Sequence, residues 1–312
     1  MDSTINTEPI KARTRGVLLI ALGAPIYWQM ASNLAWAIKV TSGKRVPVTI
    51  ACTKGIKEAI EKARCGAHFD NCVIVPDDYH LYKGVPSFGR VKCGMYELSP
   101  YDDTIFIDVD TIWFQGKNIE TLFDELGAEK GNVLWQNSGT MNVREEAAKN
   151  GRIEWFMAKE VLNHFEWKNE WLARVHSYFI YFRKSAEAEN YFQHSIIAHD
   201  RIFNEKIPIN GWHSGVADEA AFSIARGTSG LYLAGGLAAV EGEKDRHGFS
   251  PLFQHSASKM EDAFRIEQKG FYGATTTLDK CGANWIQNYE ITYRKIFQSG
   301  GAGRLFDWRD KK

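Results

Sequence analysis

Short apolar segments alternate with segments of helical spacing through the first third of the chain. The apolar runs have the length of buried strands and are residues 17–22, 46–52, 72–76 and 104–114. The intervening segments carry apolar side chains at three- and four-residue intervals and are residues 27–40, 54–64 and 89–98. This alternation predicts an α/β fold, in which a mostly parallel sheet has helices on both faces.

The composition excludes several classes of protein. Of the 312 residues, 44% are hydrophobic, which excludes a disordered chain. The 38 basic residues balance the 38 acidic ones, so there is no electrostatic case for a strongly nucleic-acid-binding domain. No apolar run reaches the roughly 18 residues that a membrane span needs.

The cysteines and the N-terminal residues indicate the cellular compartment in which the protein is expected. The chain has five cysteines, an odd number, and no two have Cys-x-x-Cys spacing. Residues 1–15 are polar and lack the apolar stretch of a secretory signal. We therefore expect reduced thiols in a cytoplasmic protein.

The most specific chemical feature lies in the fourth apolar run. Asp108 and Asp110 are two residues apart, so on a strand both carboxylates would project to the same face. Like charges repel, and burying them without a cation is costly. The pair suits the carboxyl end of a sheet, where Mg²⁺ or Mn²⁺ could bridge the carboxylates to phosphate oxygens. The alternative is that one aspartate caps the following turn and the other is solvated.

Residues 92–114, KCGMYELSPYDDTIFIDVDTIWF, resemble the metal-binding segment of GT-A-fold glycosyltransferases. The similarity is greatest to the glycogenin-like and lipopolysaccharide galactosyltransferase-like family 8, in which a helix ends in a Ser-Pro-Tyr-Asp turn and the next strand delivers Asp-x-Asp. The resemblance extends over most of residues 16–260. It implies a GT-A, Rossmann-like fold with Asp108 and Asp110 as metal ligands.

Residues 20–39 are similar to the family's first strand, nucleotide-binding turn and first helix. Gly23 lets the backbone approach a ligand closely, and Tyr27 offers a stacking face, although it could equally fasten the helix to the core. Lys92 lies where the family commonly has a basic residue that contacts the donor. Arg90 competes for that role, and either cation also fits a solvated surface position. The resemblance assigns the following residues to the nucleotide sugar: Ala21, Leu22, Gly23, Tyr27, Arg90, Lys92, Val109 and Lys259.

Asp218 and Glu219 precede an apolar helical pattern and resemble the family's Asp-Gln or Asp-Glu at the start of a helix, where the sugar lies near the helix N-terminus. The resemblance makes them candidates for catalysis or sugar positioning. The alternative is that acidic side chains in a first turn interact favourably with the helix dipole. Residues 175–185 resemble another strand of the family, but His-Ser-Tyr at 176–178 replaces the family's Asn-Ser-Gly.

The family completes its metal site with a late histidine followed by a lysine that reaches the donor phosphates. His255 and Lys259 match this order, and imidazole is a common ligand for manganese-type ions. The family pattern also has a glycine between the two and Pro-Trp after the lysine, which this chain lacks. His247 with Gly248 is a rival assignment.

The resemblance implies a metal-dependent glycosyltransferase. Mn²⁺ or Mg²⁺ would bridge the diphosphate of a nucleoside-diphosphate sugar, with a UDP-sugar expected, and neutralise charge on the leaving group. An acceptor hydroxyl would attack the anomeric carbon with retention of configuration. The acceptor could be a glycan, a lipid-linked sugar or a modified base in DNA, although the lack of excess basic charge disfavours DNA.

Two other functions fit the Asp-x-Asp pattern. A haloacid-dehalogenase-type phosphatase also has two aspartates after an apolar strand, but it needs Thr or Val at the position of Ile112 and a later acidic motif, often Gly-Asp-x-x-x-Asp. The chain contains no Gly-Asp dipeptide. A non-catalytic GT-A protein that holds a nucleotide or a glycan is the second alternative.

We expect three regions: a flexible N-terminal segment at 1–15, the GT-A domain at 16–260, and a helical or irregular extension at 261–312 packed on that domain. Trp285, Tyr289 and Tyr293 are four residues apart, which predicts an aromatic helix face in the extension. Such a face is typical of a core or of a contact in a homo-oligomer.

Overall fold

The computed structural model shows an α/β fold built on one six-stranded sheet. It describes residues 13–42, 45–109, 111–113, 119–129, 131–153, 156–168, 170–208, 216–230 and 253–255. The strands are β1 (Arg15–Ala21), β2 (Val48–Cys52), β3 (Asn71–Ile74), β4 (Leu81–Tyr82), β5 (Val85–Pro86), β6 (Asp103–Ile107), β7 (Thr111–Trp113), β8 (Val133–Asn142), β9 (Arg152–Ile153), β10 (Phe156–Met157), β11 (Trp171–Arg183) and β12 (Phe253–His255). The helices are α1 (Pro25–Thr41), α2 (Lys54–Lys62), α3 (Asp77–His80), α4 (Phe88–Cys93), α5 (Met95–Leu98), α6 (Ile119–Ala128), α7 (Val143–Ala148), α8 (Ala158–His164), α9 (Ala186–Glu205) and α10 (Asp218–Ser229), with a 3₁₀ turn at Gly66–His68.

The central sheet has the strand order β3-β2-β1-β6-β11-β8. β1 pairs in parallel with β2 and β6, and β2 pairs in parallel with β3. β11 is antiparallel to both of its neighbours, β6 and β8, so β8 runs in the same direction as β6. The predicted mostly parallel sheet is confirmed.

Helices pack on both faces of the sheet, as predicted. Along β1, Val17 and Leu19 belong to a core cluster with α1, α2 and α6, whereas Leu18 belongs to a second cluster with α4, α5, α9 and α10. Alternate strand residues point to opposite faces, so a strand that is apolar at every position can serve both cores. The residues of β1 from Val17 to Leu19 are fully buried, as this arrangement requires.

Two predicted elements are interrupted in the structure. The helix predicted at 89–98 is divided into α4 and α5 at Gly94, whose missing side chain leaves space for the ring of Tyr79. The strand predicted at 104–114 ends at Ile107 and resumes as β7, which pairs with β12 instead of joining the central sheet. Asp108 therefore directly follows β6, so the prediction that it lies within a strand is wrong. Asp110 lies outside the described residues, so the prediction that the two carboxylates share one face stays a prediction.

The boundaries predicted for the chain stay predictions, because residues 1–12 and 256–312 lie outside the described residues. The rival pair His247 and Gly248 and the aromatic face at 285–293 lie outside them too. None of the described helices is long and apolar enough to cross a membrane.

Candidate functional site

A lysine joins two carboxylates at the carboxyl edge of the sheet. Asp108 directly follows β6, and its backbone N–H donates to the carbonyl of Tyr178 on β11 at 2.8 Å. The Lys92 ammonium on α4 lies 2.8 Å from Asp108 Oδ2 and 2.9 Å from Asp218 Oδ2, at the first residue of α10. The structure thus brings three of the predicted site residues into direct contact. We call these three residues the Lys92 cluster.

Gly89 explains how Lys92 reaches this position. A Cβ atom on Gly89 would lie 2.5 Å from the carbonyl oxygen of Val216 and 3.3 Å from the backbone nitrogen of Asp218. Only a residue without a side chain permits this approach, so α4 packs directly against the start of α10. Lys92 lies nearly one helical turn after Gly89, and its ammonium passes 5.8 Å from the ring centroid of Phe106.

Ser177 completes the contacts of the Asp218 carboxylate. This fully buried serine on β11 donates its hydroxyl to Asp218 Oδ2, and its oxygen lies 3.4 Å from Lys92 Nζ. Sequence reasoning noted the His-Ser-Tyr segment but did not select Ser177 as a site residue. The available signal was a hydroxyl within an otherwise apolar strand, since a buried polar group requires a partner.

The charges of the site depend on one another. Burial alone would lower the pKa of Lys92, but the carboxylates of Asp108 and Asp218 raise it well above its ordinary value. Burial alone would raise the pKa of Asp218, and the positive charge of Lys92 together with the Ser177 hydrogen bond lowers it. Lys92 and Asp218 are therefore both charged at neutral pH.

Glu219 differs from the neighbouring Asp218. Burial, together with the negative charge of Asp218, raises the pKa of Glu219 to about 8. Its carboxyl group is therefore mostly protonated at neutral pH and can donate a hydrogen bond. Adjacent acidic residues at the start of α10 thus take opposite protonation states.

The predicted nucleotide-binding turn lies at the same edge of the sheet, since β1 is the neighbour of β6. Ala21 ends β1, Leu22 is buried, and Gly23 has a φ angle of 76° that favours glycine. A Cβ on Gly23 would lie 2.8 Å from the Phe88 ring. Tyr27 on α1 is half-buried and packs against the core, in agreement with the packing alternative.

Arg90 does not join the Lys92 cluster. Its guanidinium forms two hydrogen bonds with the Asp200 carboxylate on α9, at 2.7 and 3.1 Å. It also lies 5.3 Å from the ring centroid of Tyr79 and 4.8 Å from that of Tyr82. Burial opposes the charge, yet the Asp200 carboxylate raises the Arg90 pKa. Arg90 therefore connects α4 with α9, and of the two cations Lys92 is the one beside Asp108.

The residues predicted to hold a metal are only partly described. The Asp108 carboxylate is described, and Val109 is buried in the turn after it. Asp110 and Lys259 lie outside the described residues, and so does the side chain of His255. Within the described part of the chain, no three His, Cys, Asp or Glu side chains form a group that could hold a metal ion.

The backbone pairs the strand that carries His255 with a strand that follows the Asp-x-Asp segment in sequence. β12 is antiparallel to β7, which places His255 opposite Thr111, the residue after Asp110 in sequence. A chain segment far along the sequence therefore lies beside β7. Carboxylate oxygens and an imidazole nitrogen are suitable ligands for Mn²⁺ or Mg²⁺, so the residue types of the predicted set are compatible with such an ion.

Comparison with known proteins leaves the activity open. No protein-family model matches the chain, and no curated protein sequence matches it. The apo structure of WbbM, a bifunctional glycosyltransferase, aligns with 70% of this chain and 38% of its own, at 16% identity and a TM-score of 0.41. The apo structure of mouse xyloside xylosyltransferase 1 aligns with 68% of this chain and 81% of its own, at 11% identity and a TM-score of 0.39. The chain thus spans well under half of WbbM, and these similarities decide neither the fold family nor the activity.

Proposed function

We propose that the protein is a metal-dependent glycosyltransferase of the GT-A type, which moves a sugar from a nucleoside-diphosphate sugar to an acceptor hydroxyl. The observation that carries the proposal is the Lys92 cluster, with Lys92 Nζ 2.8 Å from Asp108 and 2.9 Å from Asp218. In α/β sheets of this kind, ligands bind outside the carboxyl ends of the strands. The cluster stands at that edge, beside the glycine turn that follows β1.

The burial of the cluster supports a binding role. The side chains of Asp108, Lys92 and Asp218 are only 16%, 20% and 12% exposed. Removing charged groups from water costs free energy, which well-packed apolar residues would avoid. The Lys92 ammonium also lies between two carboxylates. Carboxylate oxygens are suited to a cation and to the hydroxyl groups of a sugar.

In this proposal Asp108, Asp110 and His255 hold Mn²⁺ or Mg²⁺. The ion would supply positive charge against the diphosphate that leaves when the glycosidic bond breaks. Lys92, which carries its proton at neutral pH, contributes a second positive charge at this point. Lys259 contributes a third by the family resemblance.

Asp218, Glu219 and Ser177 form the proposed sugar end of the site. The Lys92 and Ser177 contacts hold the Asp218 carboxylate in one orientation, ready to accept hydrogen bonds from sugar hydroxyls. Protonated Glu219 can donate a hydrogen bond to a sugar oxygen beside it. Both residues therefore position the sugar, and the configuration retained at the anomeric carbon is a proposal that rests on the family resemblance.

A donor screen tests this function. The protein would be incubated with Mn²⁺ and UDP-, GDP-, CDP- or ADP-sugars, and release of the free nucleoside diphosphate would be followed. We expect one donor to be hydrolysed slowly, and we expect Asp108→Ala and Asp110→Ala each to abolish the release. Asp77→Ala is the matched control, because the Asp77 carboxylate is 95% exposed.

Three outcomes would contradict the proposal. Wild-type release rates in EDTA would exclude the metal, and rapid hydrolysis of p-nitrophenyl phosphate with Mg²⁺ would favour the phosphatase. Tight binding of a nucleoside diphosphate with no turnover in the presence of sugar acceptors would favour the non-catalytic alternative. With an acceptor, proton NMR of the new glycosidic bond would test retention.

A further inference from the structure

Helix α4 places a second side chain, Phe88, near the carboxyl edge of the sheet. Phe88 and Lys92 are four residues apart, so they lie on the same face of the helix. Lys92 contacts Asp108, whereas the ring of Phe88 lies against Gly23 at the end of β1. Arg90, two residues from each, points instead to Asp200 on α9.

The Phe88 ring contacts the turn after β1 at one edge and is otherwise open to solvent. Its tip would lie 2.8 Å from a Cβ atom on Gly23, so the absence of that atom lets the ring contact the turn directly. At the same time Phe88 is 45% exposed, while the next helical residues on the core side, Val91 and Cys93, are fully buried. An aromatic ring held at one edge and open elsewhere is suited to stacking.

The strand order gives the ring a place along the site. β1, β6 and β11 are consecutive in the sheet, and β11 is antiparallel to β6, so the residues after the carboxyl ends of β1 and β6 form a row with the amino-terminal half of β11. Gly23 with Phe88 stands at β1, Asp108 with Lys92 at β6, and Ser177 with Asp218 beyond them at β11. A nucleoside-diphosphate sugar is also a row, of base and ribose, then diphosphate, then sugar. With the metal at Asp108 and the sugar at Asp218, as proposed above, the nucleoside lies at the β1 end of this row.

We propose that Phe88 binds the nucleobase of the donor by stacking. The inference rests on the proposed function and deepens it, since it assigns to Phe88 the planar part of the substrate and leaves the sugar to Asp218. The contact with Gly23 places the ring at the turn after β1, and its exposed surface is available to the base. Stacking of this type tolerates any base, because every base has a flat face.

The test distinguishes binding of the base from binding of the diphosphate. Binding would be measured by calorimetry with Mn²⁺ for two probes, inorganic pyrophosphate and whichever of UDP, GDP, CDP or ADP binds the wild type most tightly. We expect Phe88→Ala to weaken nucleotide binding by roughly 5- to 150-fold, the range that loss of one base stack gives. Pyrophosphate has no base, so its affinity should change less than about twofold on the same scale.

Two further variants separate stacking from packing. Phe88→Leu keeps an apolar contact with Gly23 but loses the aromatic face, so it should behave as Phe88→Ala, whereas Phe88→Tyr should bind nucleotide as the wild type does. Leu81→Ala is the control, because Leu81 is similarly exposed at 43%. Thermal unfolding would establish that each variant is folded.

Each outcome is decisive. If the wild type binds none of the four nucleotides, the proposed function fails and this inference fails with it. If the wild type binds one and Phe88→Ala binds it equally well, only the inference fails. It fails too if Phe88→Ala weakens both probes to the same extent, or if Phe88→Leu binds as the wild type does. A variant that binds nucleotide normally but loses acceptor affinity would assign Phe88 to the acceptor instead.

Discussion

At the scale of single residues, the ammonium of Lys92 makes the burial of two carboxylates tolerable. Each of its contacts, to Asp108 and to Asp218, is a charge-assisted hydrogen bond of ordinary length. Without the lysine, two negative side chains would stand beside one another with little access to water. Lys92 is therefore expected to matter both for folding and for the proposed chemistry.

Lys92→Met should be defective in both respects. We expect the free energy of unfolding to fall by roughly 3 kcal/mol at pH 7.5, because removal of one partner leaves buried charge uncompensated. The loss should be smaller at pH 5, where the carboxylates can take up protons. Release of nucleoside diphosphate from the donor should fall by roughly 100-fold or more. Urea denaturation and the release assay measure the two effects.

Arg90→Ala is the matched control for Lys92→Met, since it also removes a cation from α4. Arg90 contacts Asp200 outside the Lys92 cluster through two hydrogen bonds. Its removal should therefore lower the free energy of unfolding but leave most of the nucleoside diphosphate release. If Arg90→Ala abolished release and Lys92→Met did not, Arg90 would be the donor-binding cation.

Glu219 should make stability depend on pH. Its pKa is about 8 in the folded protein, against 4.5 as the ordinary value. The folded state thus binds more protons than the unfolded state between these values, so Glu219 makes the free energy of unfolding fall as pH rises from about 4.5 to about 8. Glu219→Gln should flatten this decline, whereas the exposed Glu58→Gln should not. Denaturant unfolding at pH 5.5, 7 and 8.5 measures the free energy of unfolding of the wild type and both variants. The same dependence of that free energy on pH in all three proteins would contradict the prediction.

The sequence predicted some of these residues and missed others for physical reasons. Asp108, Lys92 and Asp218 stood out because charged side chains flank apolar segments in an order that resembles a known family. The sequence could not decide whether Lys92 or Arg90 is the basic residue that contacts the donor, because that depends on which face of α4 packs against α9. Ser177 was missed, since a lone serine in a strand gives no indication of a partner 41 residues later.

At the scale of elements, the site depends on the packing of α4 between the sheet edge and α10. Gly89 allows the backbones of α4 and α10 to touch, and the contact places Lys92 beside Asp218. The same short helix is fastened to α9 by Arg90. A shift of α4 would therefore move the ammonium of Lys92 away from at least one of its carboxylates.

Gly89→Ala tests this packing. The added methyl group would meet the carbonyl oxygen of Val216 at 2.5 Å, and a backbone atom cannot move aside as a flexible side chain can. We expect a loss of about 1–3 kcal/mol in the free energy of unfolding, with reduced nucleotide release. Gly55→Ala on α2 is the control, because nothing lies within 4 Å of its added methyl group. That variant should be as stable as the wild type or up to about 1 kcal/mol more stable.

Element types were easier to predict than element ends. Apolar runs and helical spacing located β1, β2, β3 and β6 and the helices α1, α2 and α4, because each strand and helix must bury an apolar surface. The short helix α3 was not predicted. The division at Gly94 and the end of β6 before Asp108 escaped prediction. Both depend on tertiary contacts, of Gly94 with Tyr79 and of Asp108 with Tyr178.

At the scale of the whole molecule, one sheet separates two cores and leaves its carboxyl edge for polar groups. Helices on the two faces bury the sheet through distinct clusters of apolar side chains. The sheet order then sets β1, β6 and β11 side by side, which brings the glycine turn, Asp108 and Ser177 to a common edge. The fold thus converts distant sequence positions into a single row of candidate binding groups.

We propose that Asp108 holds a metal ion against a nucleoside diphosphate. The most direct test is a crystal grown with UDP, or with the nucleotide that the donor screen identifies, and Mn²⁺, measured near the manganese absorption edge. We expect an anomalous peak within about 2.5 Å of an Asp108 carboxylate oxygen, next to the diphosphate. A bound nucleotide with no such peak, or a manganese site away from Asp108, would contradict it.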